Sequence, residues 1–191
     1  MVSIQPPHEA NNINYAQEIQ DLHRSKVEAV SSPPSILGLL QDNKDFSIFY
    51  HLVIKGQLDG RLNDLQANYT LFVPSDEFLI SKYPTSLFTN MDIYTAKEIV
   101  LYHLLPGKIS YQMLQSSGAM YLTTMINDSN YARVLSETCP PDSSILLNNS
   151  AKIKIGNITR NNGLIHVIDN MLFPPTITAN GRFGLKDYVV C

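Results

Sequence analysis

The chain has 191 residues, 44% of them hydrophobic and 16% charged, with a formal net charge of −3. This is enough apolar material for one domain with a substantial core, and it excludes a solvated, disordered chain. The absence of a basic excess argues against nucleic acid or an anionic membrane as the main partner.

In chain order, Met1 to Asn14 is polar and contains no apolar segment of the kind found in a signal peptide. From Ala16 to Val30, apolar residues at Ile19, Leu22, Val27 and Val30 predict a helix, which Ser31-Ser32-Pro33-Pro34 ends. Residues 1–34 are therefore expected to be an extension, residues 35–175 a folded domain, and residues 176–191 a tail.

Within that domain, Ser35 is placed to cap a short helix through Leu40. Asp45 is expected to cap a second helix that carries Phe46, Phe49, Leu52 and Val53 on one face and ends near Gly56. Thr70–Val73 reads as a strand stopped by Pro74, with Ser75 or Asp76 capping the next helix. Asp92 opens the clearest helix, running to about Leu104 before Pro106-Gly107 terminates it.

Beyond Gly107 the period shortens. Strands are expected at Lys108–Ser110, Met120–Met125, Ala132–Ser136, Ser144–Leu147, Lys152–Ile155 and Leu164–Ile168, with turn residues between them that suit antiparallel pairing. Asn162-Gly163 reads as a type I′ turn leading into a strand buried on both faces, and Pro174-Pro175 reads as its stop. Helices in front and strands behind make the class α+β. No apolar run approaches the roughly 18–20 residues that span a bilayer.

The motifs of catalysis are missing from the sequence. None of the histidines His8, His23, His51, His103 and His166 forms an H-E-x-x-H pair, and no cysteine sits at zinc-ligand spacing from another. No phosphate-binding loop or nucleophile elbow occurs, and the carboxylates are scattered. No enzyme, metal or cofactor is expected. Cys139 and Cys191 are open to pairing with each other, staying free, or linking two chains. Glycosylation sequons begin at Asn68, Asn127, Asn148 and Asn157.

Three segments in order resemble the fasciclin (FAS1) domain family: Thr70-Leu71-Phe72-Val73-Pro74-Ser75-Asp76-Glu77-Phe78-Leu79, then Val100-Leu101-Tyr102-His103-Leu104-Leu105-Pro106-Gly107, then Asn162 to Pro175. Val73, Phe78 and Leu79 depart from the residues usual in the first block.

The resemblance implies a FAS1-like β-sandwich or wedge of short strands with helices packed on it. It also implies a non-catalytic, secreted or cell-surface adhesion module that binds a cell-surface receptor, a matrix protein or a glycan. Tyr102 and His103 match the family's Tyr-His motif, which is associated with adhesion, although both lie among apolar helix neighbours that equally suit a core role. An alternative is a carrier of a lipophilic small molecule such as a carotenoid, for which Tyr121, Met125 and Tyr131 are candidate lining residues. A further alternative is a non-secreted interaction protein of the same fold.

Overall fold

A computed structural model describes residues 35–126 and 133–179. The expected helix over Ala16–Val30 lies outside the described residues.

The first helix, α1 (Ile36–Asp42), forms where expected. The Ser35 hydroxyl accepts the Gly38 N–H at 3.1 Å, and Ile36 and Leu40 turn inward. A 3₁₀ turn over Lys44–Phe46 follows, capped by Asn43 rather than Asp45. It runs straight into α2 (Ser47–Lys55), whose buried face is Phe49, Leu52 and Val53.

The cap of α2 comes from far along the chain. Asp76 Oδ2 accepts the Ser47 N–H at 3.1 Å, Oδ1 accepts the Ile48 N–H at 3.0 Å, and the Ser47 hydroxyl also bonds this carboxylate. Asp76 opens its own helix, α4 (Asp76–Lys82), where Ser75 holds the cap position without a side-chain bond. One carboxylate thus sits in the first turn of α4 and satisfies two of the orphan donors of α2.

Between these lie α3 (Asp59–Asn63) and the strand β1 (Tyr69–Pro74). The short α5 (Thr85–Thr89) leads to α6 (Ile93–His103), whose cap is Asp92, as the sequence predicts. Gly56, at the end of α2, lies against α6, where a Cβ would come within 2.9 Å of the Lys97 backbone. That close approach requires glycine.

The end of α6 falls within a residue of the expected Leu104, but the strand expected after it needs correction. Leu104–Pro106 forms β2, antiparallel to β1, which the sequence does not suggest, and Lys108–Ser110 is not a strand. The Thr70 hydroxyl instead donates to the Gly107 carbonyl and accepts the Ile109 N–H, each at 2.8 Å, so a side chain holds this segment where a ladder would have.

The helix α7 (Tyr111–Ser116) then leads into a meander of β3 (Met120–Thr123), β4 (Arg133–Cys139), β5 (Ser144–Leu147), β6 (Ala151–Arg160) and β7 (Gly163–Ile168). The pairings from β3 to β7 are antiparallel, as the turn spacing predicts, whereas β7 runs parallel to β1. A parallel pair needs a long crossover, supplied here by everything between them. β6 spans ten residues, and register shifts between Ile153 and Ile158 let it pair with β5 at one end and β7 along the rest.

The seven strands form one mixed sheet in the order β2-β1-β7-β6-β5-β4-β3. Its two ends approach each other, because the Met125 N–H just after β3 donates to the Leu104 carbonyl of β2 at 2.8 Å. The α+β class is as expected, and its layers come from one sheet curling around β6.

The curl produces two cores. The first lies between helices and sheet and includes Phe49, Leu52, Leu71, Val100 and Ile165. The second lies within the curled sheet and includes Phe72, Leu122, Val134, Leu147 and Ile168.

The reading around Asn162 also changes. Neither Asn162 nor Gly163 has positive φ, and the two-residue loop is Asn161-Asn162. β7 ends at Ile168, well before Pro174 and Pro175, where Asp169 accepts the Lys152 N–H at 2.7 Å. Pro175 begins a further helix, α8 (Pro175–Ala179), which buries Ile177 against the helix-side core.

Candidate functional site

Tyr102 and His103 are consecutive residues at the end of α6, and both are buried. Neighbours on a helix diverge by about 100°, and here the divergence sends them into different cores. Tyr102 enters the core within the sheet, where its hydroxyl donates to the Arg133 carbonyl at 2.8 Å and accepts from Asn148 Nδ2 at 3.0 Å. Asn148 Oδ1 accepts the Leu135 N–H at 2.7 Å, tying the same point to β4.

His103 enters the helix-side core, edge-on to Phe49 with ring centroids 5.2 Å apart. Its Nδ1–H donates to the Ile99 carbonyl at 2.8 Å, and its Nε2 accepts the Leu172 N–H at 3.0 Å. A carbonyl only accepts and an N–H only donates, so these partners fix the tautomer. Burial lowers the pKa to about 4, against the opposing pull of the Ile99 carbonyl.

His166 repeats the arrangement on β7. Nε2–H donates to the Ile109 carbonyl at 2.8 Å, Nδ1 accepts the Asn157 N–H at 3.2 Å, and the ring lies 5.7 Å from Phe72. Burial holds its pKa down, opposed by the Ile109 bond. Every ring nitrogen of these two histidines is committed to a backbone group, which leaves none for a metal or a reacting atom. Burial likewise raises the pKa of Tyr102, with the Asn148 bond opposing. Among the described residues, no group of three His, Cys, Asp or Glu is arranged to hold a metal ion.

The residue whose purpose the sequence concealed is Asn162. It is fully buried. Its Oδ1 accepts the Ile36 N–H at 2.9 Å, and its Nδ2 donates to the carbonyls of Leu62 at 2.8 Å and Asp64 at 3.1 Å. One amide thus joins the start of α1, the end of α3 and the β6–β7 loop. Gly163 is fixed by space, since a Cβ would lie 2.2 Å from the Tyr69 carbonyl oxygen. The Asn-Gly pair was the available signal, but packing rather than turn geometry demands it.

Three sequons can be placed. Asn68 is exposed, in the loop before β1. Asn148 has both side-chain ends bonded, as described above. Asn157 does as well, with Oδ1 accepting the Tyr111 N–H and Nδ2 donating to Gln112 Oε1, each at 2.8 Å. Asn127 lies outside the described residues. Cys139, the last residue of β4, is disulfide-bonded, and Cys191 lies outside the described residues.

The surface offers a groove of about 410 Å³ where the 3₁₀ turn, the start of α4 and β6 meet. Leu39, Phe46, Phe78, Ile155 and Ile158 line it, with Asp45 and Glu77 on the helical side and Lys154 on the strand side. Ile155 is 55% exposed there. The departures at Phe78 and Leu79 divide between the two environments, Phe78 facing the groove and Leu79 buried in the core. Tyr121 is 66% exposed on β3, Met125 packs partly buried against the helix-side core, and neither lines the groove. Tyr131 lies outside the described residues. No described helix is long and apolar enough to cross a membrane.

Comparison with known proteins agrees with this architecture. Residues 44–174 match the sequence profile of the Fasciclin domain. A FAS1 domain-containing protein of Invertebrate iridescent virus 3 is 31% identical over 136 residues, covering 66% of this chain and 75% of the relative. Human periostin is 29% identical over 136 residues, covering 71% of this chain but only 15% of periostin. The solved FAS1 domain pair of the insect cell adhesion molecule fasciclin I superimposes with a TM-score of 0.62 at 23% identity, covering 74% of this chain and 51% of that one.

Proposed function

We propose that this chain, which belongs to the fasciclin domain family, works as a non-catalytic extracellular adhesion module that binds a cell-surface receptor, a matrix protein or a glycan. Membership of a family of adhesion-type proteins supports that reading most directly. In it, Tyr102 and His103 serve adhesion from inside, by holding the end of α6 to both cores, and partner contact falls to the surface.

The groove beside Phe78 and Ile155 is the described surface best suited to a protein partner. Its apolar floor fits an aliphatic or aromatic side chain, and Asp45 and Glu77 favour a basic residue next to it. Attachment of cells, matrix proteins and glycans to the immobilised chain, compared with Ile155→Glu, tests this. Attachment is expected for the parent chain and a loss of at least several-fold for the variant, whose exposed position leaves the fold intact. Equal attachment of both would reject the groove, and none to either would reject the adhesion reading.

The same groove also permits a second reading, a carrier of a lipophilic small molecule. Organic extraction of the chain purified from its source distinguishes the two, since only the carrier yields a stoichiometric apolar compound.

A further inference from the structure

We propose that, among the three described sequons, Asn68 is the N-glycan acceptor and that it is modified before β1 docks on β2. The proposal rests on the extracellular reading above.

Asn68 is exposed, and its side chain makes no hydrogen bond among the described residues, while its backbone carbonyl accepts the Gly107 N–H at 2.8 Å. The loop is therefore held in place by its backbone while the side-chain amide carries no hydrogen bond among the described residues. A sugar on that nitrogen displaces no hydrogen bond. Asn148 and Asn157 differ. A sugar on Asn148 Nδ2 would crowd the buried Tyr102 hydroxyl, and one on Asn157 Nδ2 would crowd Gln112 at the start of α7. Asn148 and Asn157 are also held at φ +49° and +61°, with their Oδ1 atoms bonded to backbone donors.

The timing follows from the third residue of the Asn68 sequon. Thr70 is fully buried, and its hydroxyl is committed both as donor to Gly107 and as acceptor from Ile109. A transferase that must engage the sequon threonine cannot reach it once β1 and β2 have paired. The chemistry needs a lipid-linked oligosaccharide as donor. The bond from the sugar's anomeric carbon to the polyprenyl diphosphate oxygen breaks, a bond from that carbon to Asn68 Nδ2 forms, and the amide gives up one proton as the diphosphate leaves. The carboxamide is neither oxidised nor reduced.

The test expresses the full chain behind a cleavable secretion signal in eukaryotic cells, with Asn127→Gln so that only the three described sequons report. The expected product carries one glycan, which Asn68→Gln removes without changing the midpoint of thermal unfolding. Secreted protein with Asn68 bare, or with Asn148 or Asn157 occupied to the same extent, would overturn the assignment of the site. For the timing, unglycosylated chain is incubated with transferase and lipid-linked oligosaccharide, folded and after unfolding. Modification only after unfolding is expected, and equal modification of the folded chain would overturn the order. Because the signal is supplied, these results concern the site alone. Whether the natural protein enters the secretory route is read separately, from glycans on material from its own source.

Discussion

At the scale of single residues, buried polar groups do more of the organising than the surface does. Replacing Asn162 with Ala leaves the Ile36 N–H and the carbonyls of Leu62 and Asp64 without their partner. Each such loss costs about 1–3 kcal/mol when water cannot substitute. Asn162→Ala is expected to lower unfolding stability by about 3 kcal/mol, measured as a shift in the urea midpoint, and a change below about 1 kcal/mol would deny its role as a joint. His103 makes a pH prediction. Its folded pKa of about 4 lies below the ordinary 6.5, so the unfolded chain binds the proton more readily. Stability is then complete above about pH 6.5 and falls as pH drops toward 4, by on the order of 3 kcal/mol. His166, shifted the same way, adds to the slope. Unfolding curves between pH 7 and 4 should show that decline, and His103→Gln should flatten it. An unchanged slope in the variant would assign the acid sensitivity elsewhere.

At the scale of elements, what was legible in the sequence was what local chemistry decides. Ser35 and Asp92 cap their helices because an N-cap needs only the next three residues. The strands β5 and β7 follow their apolar runs to within a residue. The strand at Leu104-Leu105 was not legible, because pairing with β1 rather than any local pattern makes it one. The cap of α2 was not legible at all, since Asp76 lies 28 residues from Ile48. The site divided in the same way. Tyr102 and His103 stand out as a pair, but their two destinations depend on a sheet that curls, which no local pattern records. Asp76→Ala is expected to cost about 1–2 kcal/mol and to accelerate amide exchange in the first turn of α2 as well as in α4. Exchange confined to α4 would show that the cap across the chain contributes nothing.

At the scale of the molecule, the two cores share one seam. Tyr102 and His103 anchor it from α6, and the Met125 N–H closes the sheet beside it. An interior fixed in this way leaves recognition to the surface, and the groove lies at the opposite structural role from the motif: partly exposed, apolar and rimmed by charges of both signs. The measurement that tests the account most directly is attachment of cells and of matrix proteins to the immobilised, folded chain, beside Ile155→Glu and Tyr102→Phe. The account predicts attachment by the parent chain and loss in Ile155→Glu at unchanged thermal stability. It predicts that Tyr102→Phe, which removes only the buried hydroxyl, lowers stability by about 1–2 kcal/mol yet still attaches while folded. Attachment abolished by Tyr102→Phe in a folded chain, and untouched by Ile155→Glu, would contradict it.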